Sequence, residues 1–430
     1  MPSAPPPTLS AALHDRPDAP LCVGYSGGLD SSVLLHLLAN SGAMSLRAVH
    51  VHHGLHPQAD AWAERCTRTC ATLGIPLAVV RVTVTREGAG LEAAARTARH
   101  GAFADALVAG DVLALAHHRD DQAETLLLRA LRGSGIDGLA AMRRWRPFGP
   151  GRLWRPLLDH GRDELLAYAQ AHRLDWIDDP SNTDTGFDRN FLRQRVLPLL
   201  QERWPHAGAV LAQSAALSAQ ASDLLEEGDA QALASVATAD PHCLARVRLL
   251  ALSPARRARV LRRWIATLGL PALPGNGIAR IEAEVLAAGD DADALFAWHG
   301  VAVRSWRDLL HADAVRPSMP GNWRSAWNGQ APLTLPHGGQ LRLDGATSFE
   351  NALVVHARQG GERFVQPGRD HSHALKHVLQ DLGVPPWLRE RMPLLGDASG
   401  QVLAIADLAY SGPFDAWLRE RGARLFWEDA

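Results

Sequence analysis

A chain of 430 residues exceeds what one hydrophobic core usually serves, and 47% hydrophobic with 21% charged residues is the composition of packed domains rather than of disordered or fibrous protein. A formal net charge of -2 argues against a uniformly basic nucleic-acid binder, and four cysteines (Cys22, Cys66, Cys70, Cys243) without paired C-x-x-C spacing argue against a disulfide framework or a zinc knuckle. No apolar run reaches the length of a membrane span and the N-terminus lacks the two parts of a signal peptide, so no membrane association and a cytoplasmic location are expected.

In chain order, residues 1–19 read as a Pro-rich lead-in. Four short apolar runs follow, LCVGY, LRAVHV, LAVVRVT and DVLALAH, separated by helical stretches near Ser31 to Ala39, Gln58 to Leu73 and Leu91 to Val108. Apolar strands alternating with helices predict an α/β fold, a doubly wound parallel sheet covered on both faces, over residues 20–205. Ligands of such sheets bind beyond the carboxyl ends of the strands. Ala-rich helix after Trp204-Pro205 predicts a helical domain over 206–330, and short alternating runs among Pro, Gly and Trp predict a small α+β domain over 331–430.

The charges are unevenly spread. Nine arginines face four acids between Arg129 and Arg173, and ARVRLLALSPARRARVLRRW (245–264) holds seven arginines and no acid. Both are candidate phosphate-facing patches; the plainer alternative is a solvated face in a chain whose single lysine is Lys376.

The first run ends in YSGGLDSSVLL. Gly27 and Gly28 allow a tight turn and close approach of a ligand to the backbone. Ser26, Ser31 and Ser32 add hydroxyls, and the helix that follows aims unpaired N–H groups and its positive dipole end back at the turn. Strand, glycine turn and helix N-terminus make an anion cradle. A Walker A loop is excluded because no lysine is in place, and a dinucleotide fingerprint is excluded by the spacing of Gly24, Gly27 and Gly28. A simple helix cap by Asp30 or Ser31 is the competing explanation.

SGGLDS resembles the pyrophosphate loop of the N-type ATP pyrophosphatases, the PP-loop superfamily. HVHHGLHPQAD (50–60), HHRDDQAETLLLRALRGSGIDGL (117–139), RPLL (155–158), DDPSN (178–182) and RNFLRQRVLP (189–198) resemble one family within it, the tRNA(Ile)-lysidine synthases, as do GGERFVQPGR and LKHVLQDLGVPPWLRERMPLL near the end. The resemblance implies an ATP-dependent ligase that joins free L-lysine to C2 of the wobble cytidine of a tRNA(Ile) with a CAU anticodon. An adenylated cytidine is the intermediate, and AMP and pyrophosphate are released.

It implies that ATP is bound by Ser26, Gly27, Gly28, Leu29, Asp30, Ser31 and Ser32, with His52 or His53 touching the nucleotide. Mg²⁺ would bridge the phosphates. Asp30 is a candidate ligand for that metal or a group orienting a nucleophile, and the sequence leaves both open. Asp121 and Glu124, three apart on one face of a helix starting near Asp120, match the family's lysine-site carboxylates; alone, Asp-x-x-Glu also reads as a capping box. The histidines at 50, 52, 53 and 56 lack a third ligand at zinc spacing.

Arg129 and Arg132 beside Gly133-Ser134-Gly135, Arg189 and Arg193 at i and i+4, and Arg369 and Lys376 near the end are candidate tRNA contacts, with surface ion pairing as the alternative. Leu375-Lys376-His377 departs from the family's Leu-Lys-Lys. Two other functions stay in view: a PP-loop cytidine thiolase, which would need sulfur-carrying cysteines, and a non-catalytic nucleotide-binding module. Homodimerisation is left open.

Overall fold

A computed structural model describes residues 7–43, 45–84, 91–288, 294–368 and 371–429. Its contacts divide the chain into two units, residues 1–231 and 232–430. Among the described residues no helix is long and apolar enough to cross a membrane.

The first unit opens with a short helix α1 (Pro7–Ala11) and then alternates: β1 (Leu21–Gly24), α2 (Leu29–Ala39), β2 (Leu46–His52), α3 (Ala59–Thr72), β3 (Leu77–Arg81), α4 (Leu91–Asp105), β4 (Val112–Ala114) and α5 (Arg119–Leu131). After α6 (Ile136–Leu139) come a hairpin of β5 (Trp145–Phe148) and β6 (Gly151–Trp154), then α7 (Arg162–Ala171), α8 (Asp188–Phe191), a π-helical turn Leu192–Val196, α9 (Leu197–Arg203) and the long α10 (Ala207–Val236).

The six strands lie in the order β3-β2-β1-β4-β6-β5, parallel except for β5, which pairs antiparallel with β6. Leu21 pairs with Leu46 on one side and Val112 on the other. From β1 the chain builds outward through β2 and β3, then returns to place β4 on β1's other edge. Between β1 and β4 the winding reverses, which opens a crevice at their carboxyl ends. The SGGLDS turn follows β1 and HHRDD follows β4, so the fold itself brings the two motifs together.

Alternation along the strands sets the two faces. Val23, Ala48, Ala114 and Trp154 pack with α2, α3 and α7, while Cys22, Val49, Leu113 and Leu153 pack under Phe103 and Leu107 of α4 and the following turn.

The described part of the lead-in joins this core. Leu9 is fully buried, and Asp15 accepts hydrogen bonds from Arg144 Nε and Nη2 (both 2.8 Å), Trp145 Nε1 (2.7 Å) and Trp154 Nε1 (3.3 Å). The charge of this carboxylate, 129 residues away from its partner in sequence, pins the N-terminal segment to the hairpin.

In the second unit the helices Arg246–Leu250 and Pro254–Thr267 and the turn 277–286 fit the expected helical region. That region also carries an antiparallel sheet, not foreseen from sequence, of Cys243–Ala245, Leu295–Trp298, Val301–Trp306 and Leu309–Ala314. Its strands alternate buried and open positions, as at Phe296 and Trp298, around a tight His299-Gly300 turn with both residues at positive φ. Strands of three to six residues beside Ala-rich helix carry little periodic signal of their own. Beyond residue 320 small antiparallel sheets of five, three and two strands pack with the helices Leu375–Asp381 and Gly412–Glu420.

Burial acts to raise the Asp15 pKa, but the bonds from Arg144 and Trp145 and the Arg144 charge outweigh it and hold the group at about 2, below its ordinary 3.8. A depressed folded-state pKa contributes stability that is present above about pH 4 and lost as pH falls toward 2. Asp15→Asn is therefore expected to lower unfolding free energy by about 1–2 kcal/mol at pH 7 and by much less at pH 2, measured by urea denaturation.

Candidate active site

The turn after β1 is built by its glycines. A Cβ on Gly24 would lie 2.5 Å from Leu115 Cδ2, and one on Gly27 would lie 2.6 Å from Ile177 Cδ1 and 2.8 Å from Cys66 Sγ. Gly27 also sits at φ +84°, where a side chain is strained. Its carbonyl accepts from Ile177 N (2.9 Å) and from the Ser32 hydroxyl (3.4 Å). Gly28 starts α2 in an extended conformation without a side-chain cap, so the first-turn amides of Leu29, Asp30 and Ser31 have no capping acceptor.

The hydroxyls of Ser26 and Ser31 lie 3.0 Å apart, with Ser31 donating to Gly28 O at 3.1 Å and Gly28 N donating to Ser26 Oγ at 3.3 Å. Donors thus converge on the crevice without a cationic side chain in the turn. His50 donates from Nδ1 to Tyr25 O at 2.9 Å and holds the turn against β2.

Across the crevice, α5 begins with a capping box one turn earlier than the Asp121/Glu124 spacing suggests. His118 is the N-cap, and Asp121 at N3 accepts from the His118 amide at 3.0 Å. Glu124 caps nothing. It is 0% exposed and faces Arg193, whose Nε donates to Oε1 at 2.6 Å and whose Nη2 donates to Oε2 at 3.1 Å. The same Nη2 donates to Asp121 Oδ1 at 2.8 Å. Arg189 Nε lies 3.5 Å from Glu124 Oε2, and its Nη2 donates to Thr125 Oγ1 at 2.9 Å.

One guanidinium therefore spans both carboxylates. Burial pushes the Glu124 pKa up, with the Arg193 bonds opposing. For Asp121 burial also acts to raise the pKa, but His118, His117 and Arg193 outweigh it and hold the carboxyl low. The two acids differ in proton affinity, as an acceptor and an anchor for one amine require.

Asp30 reaches toward this pair from α2. Its Oδ2 lies 3.7 Å from His118 Nε2, while its Oδ1 is buried with no hydrogen-bond partner. Burial pushes its pKa up, His118 opposing and Asp121 reinforcing. A carboxylate oxygen left bare beside an anion cradle fits a hard cation shared with phosphate oxygens. His118, 0% exposed, has both ring nitrogens within 3.7 Å of carboxylates, those of Asp30, Asp120 and Asp121. Sequence reasoning gave His118 no role; it lies beyond β4 at the N-cap of α5, where neither strand nor helix periodicity displays it.

The remaining candidates are dispersed. His52 Nε2 is 3.2 Å from Asp60 Oδ1 and accepts from Arg81 Nη1 at 3.3 Å. His53 Nδ1 is buried without a partner, and burial, then Arg99, lower its pKa. Arg129 donates to the carbonyls of Gly138 and Ala141, both at 2.8 Å, and so braces the turn after α5. Arg132 faces Asp188 at 3.7 Å on the exposed surface. Lys376 is exposed in the second unit, and Arg369 lies outside the described residues.

A family model described as a PP-loop domain matches residues 7–200. One described as the TilS substrate binding domain matches 244–311, and one described as the TilS substrate C-terminal domain matches 353–427. The chain is 56% identical to the tRNA(Ile)-lysidine synthase of Xanthomonas axonopodis pv. citri, across 98% of this chain and 97% of the relative. It is 51% identical to that of Xylella fastidiosa strain Temecula1, across 98% of each, and 42% identical to that of Methylococcus capsulatus, across 90% of this chain and 91% of the relative.

The added methyl of Gly27→Ala has no room beside Ile177 and Cys66. The substitution is expected to weaken ATP binding roughly tenfold or more, read by titration calorimetry. Unchanged affinity would dissociate this turn from the phosphates.

Proposed function

Because the chain belongs to the tRNA(Ile)-lysidine synthase family, we propose that it ligates free L-lysine to C2 of the wobble cytidine of a CAU-anticodon tRNA(Ile) at the expense of ATP. The observation that carries this reading is the junction at the β1/β4 switch: an amide-lined turn on one side and two carboxylates of unlike proton affinity on the other.

In the first step the cytidine C2 oxygen attacks the α-phosphorus, the bond to the β-phosphate oxygen breaks, and pyrophosphate leaves. The C2 oxygen is a poor leaving group and AMP is a good one, so adenylation prepares the base for displacement. The Ser26–Ser32 segment holds the departing diphosphate through backbone amides, serine hydroxyls and the N-terminal end of α2. Asp30 Oδ1 would hold Mg²⁺, which supplies charge neutralisation across the phosphates.

In the second step the lysine ε-amine attacks C2 and AMP departs. The amine arrives protonated and must lose a proton to attack. Asp121 and Glu124 hold the ammonium through the lone pairs that Arg193 and the His118 amide leave available. Glu124, with the raised pKa, accepts the proton. Asp121 stays ionised and keeps the amine oriented.

The regions matched by the two substrate-domain models support assigning grip on the rest of the tRNA to the chain beyond residue 206, with Lys376 and Arg369 among its cations. The thiolase alternative finds no support in the cysteines. All four are buried, and burial pushes the Cys22 and Cys70 thiols up to about 11 and Cys66 and Cys243 to about 12, the wrong direction for a sulfur carrier.

Purified protein given ATP, Mg²⁺, labelled lysine and unmodified CAU-anticodon tRNA(Ile) is expected to release pyrophosphate and attach label to the RNA. ATP binding without RNA-dependent turnover would refute the proposal. Glu124→Gln is expected to lower lysine transfer roughly 100-fold or more while adenylation stays within about tenfold of wild type. Equal loss of both steps would reduce Glu124 to a positioning role.

A further inference from the structure

Arg155, the first residue after β6, has no part in the chemistry above. Alternation puts Leu153 under α4 and Trp154 under α2 and α7, so Arg155 returns to the α4 side of the sheet. His117, in the segment between β4 and α5, meets it there, whereas His118 faces the carboxylates of Asp30, Asp120 and Asp121. Arg155 is 4% exposed. Its Nε donates to His117 Nδ1 at 3.1 Å and its Nη1 donates to Arg143 O at 2.6 Å. These bonds use two of the five N–H groups of a guanidinium.

Among the described residues no carboxylate lies within ion-pairing distance of Arg155, and the charged groups that bear on it are Arg146, Arg96 and Arg129. Arg96 and Arg146 also act on His100, which burial and then Arg96, Arg99, Arg146 and Arg155 hold down to about 4. A buried cation among cations is costly unless an anion joins it. Because His117 Nδ1 accepts from Arg155, its Nε2 carries the ring proton and is a neutral donor beside the guanidinium. A planar fork beside a second N–H suits a tetrahedral oxyanion.

We propose that Arg155 and His117 form a phosphate-binding seat distinct from the Ser26–Ser32 turn. The turn sits at the end of β1 under α2, whereas the seat sits at the ends of β4 and β6 on the face covered by α4. With two strand spacings of about 5 Å between β1 and β6, the two positions hold different phosphate groups. The group is a single phosphate, supplied either by the RNA backbone or by the nucleotide. The proposal rests on the reading that the chain handles both substrates.

The test compares wild type with Arg155→Gln in calorimetric titrations against ATP and, separately, against an unmodified CAU-anticodon stem-loop RNA. One affinity is expected to fall roughly tenfold or more, the RNA arm marking a backbone phosphate and the ATP arm a nucleotide phosphate. Two unchanged affinities would overturn the seat and leave Arg155 as a brace for His117. If the variant does not fold, wild-type protein labelled with ¹⁵N-histidine serves. The His117 resonance is expected to move on addition of one of the probes, and no movement with either overturns the proposal. Failure of the underlying function looks different: wild type would bind neither probe.

Discussion

The grip of Arg193 on Asp121 and Glu124 is the interaction on which the rest of the site depends. Two carboxylates three residues apart on one helix face, one of them fully buried, repel each other and lose solvation. One guanidinium bonded to both lets them coexist in that space. The cation comes from the π-helical turn Leu192–Val196, where a locally widened helix projects its side chains differently from the flanking α8 and α9. The segment 189–196 therefore fixes the electrostatics of a helix that lies almost 70 residues earlier in the chain.

In the proposed reaction the crevice would neutralise two charges by opposite means. At the phosphate side the donors are peptide amides and hydroxyls, which are rigid, carry no counter-ion and cannot be titrated near neutrality. At the amine side a buried carboxylate pair is poised by an arginine. Placing amides at one end and the Asp121/Glu124 pair at the other would keep that pair from repelling a triphosphate directly, with Asp30 and His118 lying between. A lysine in the turn, as in a Walker loop, would sit within reach of those acids and quench them.

What the sequence discloses and what it hides follow from range. The strands of the first unit, the SGGLDS turn and the Asp121/Glu124 face are local patterns, and alternation or helical spacing displays them within ten residues. The partners are not local. Arg193 with Glu124, Arg144 with Asp15 and Ile177 on Gly27 are brought together only by the folded chain, so the sequence left Arg189 and Arg193 between tRNA contact and surface ion pairing and showed residues 1–19 only as a Pro-rich lead-in. The sheet of residues 243–314 was hidden for another reason: its strands are only three to six residues long, too short to establish a period beside Ala-rich helix.

Runs of arginine overstate the positive surface a phosphate backbone meets, because many of these side chains are already committed. Arg129 braces carbonyls, Arg143 and Arg144 hold Asp223 and Asp15, and in the 245–264 run Arg257 holds Glu282 while Arg246 donates to the carbonyls of Leu286 and Ala288. Counterion release counts only phosphates actually neutralised, so an arginine spent on a carboxylate adds nothing to the salt dependence of binding. A near-neutral protein could grip a polyanion this way: cations paired with acids build the fold, and those without an acidic partner among the described residues, with Arg155 proposed as one, would set where phosphates rest.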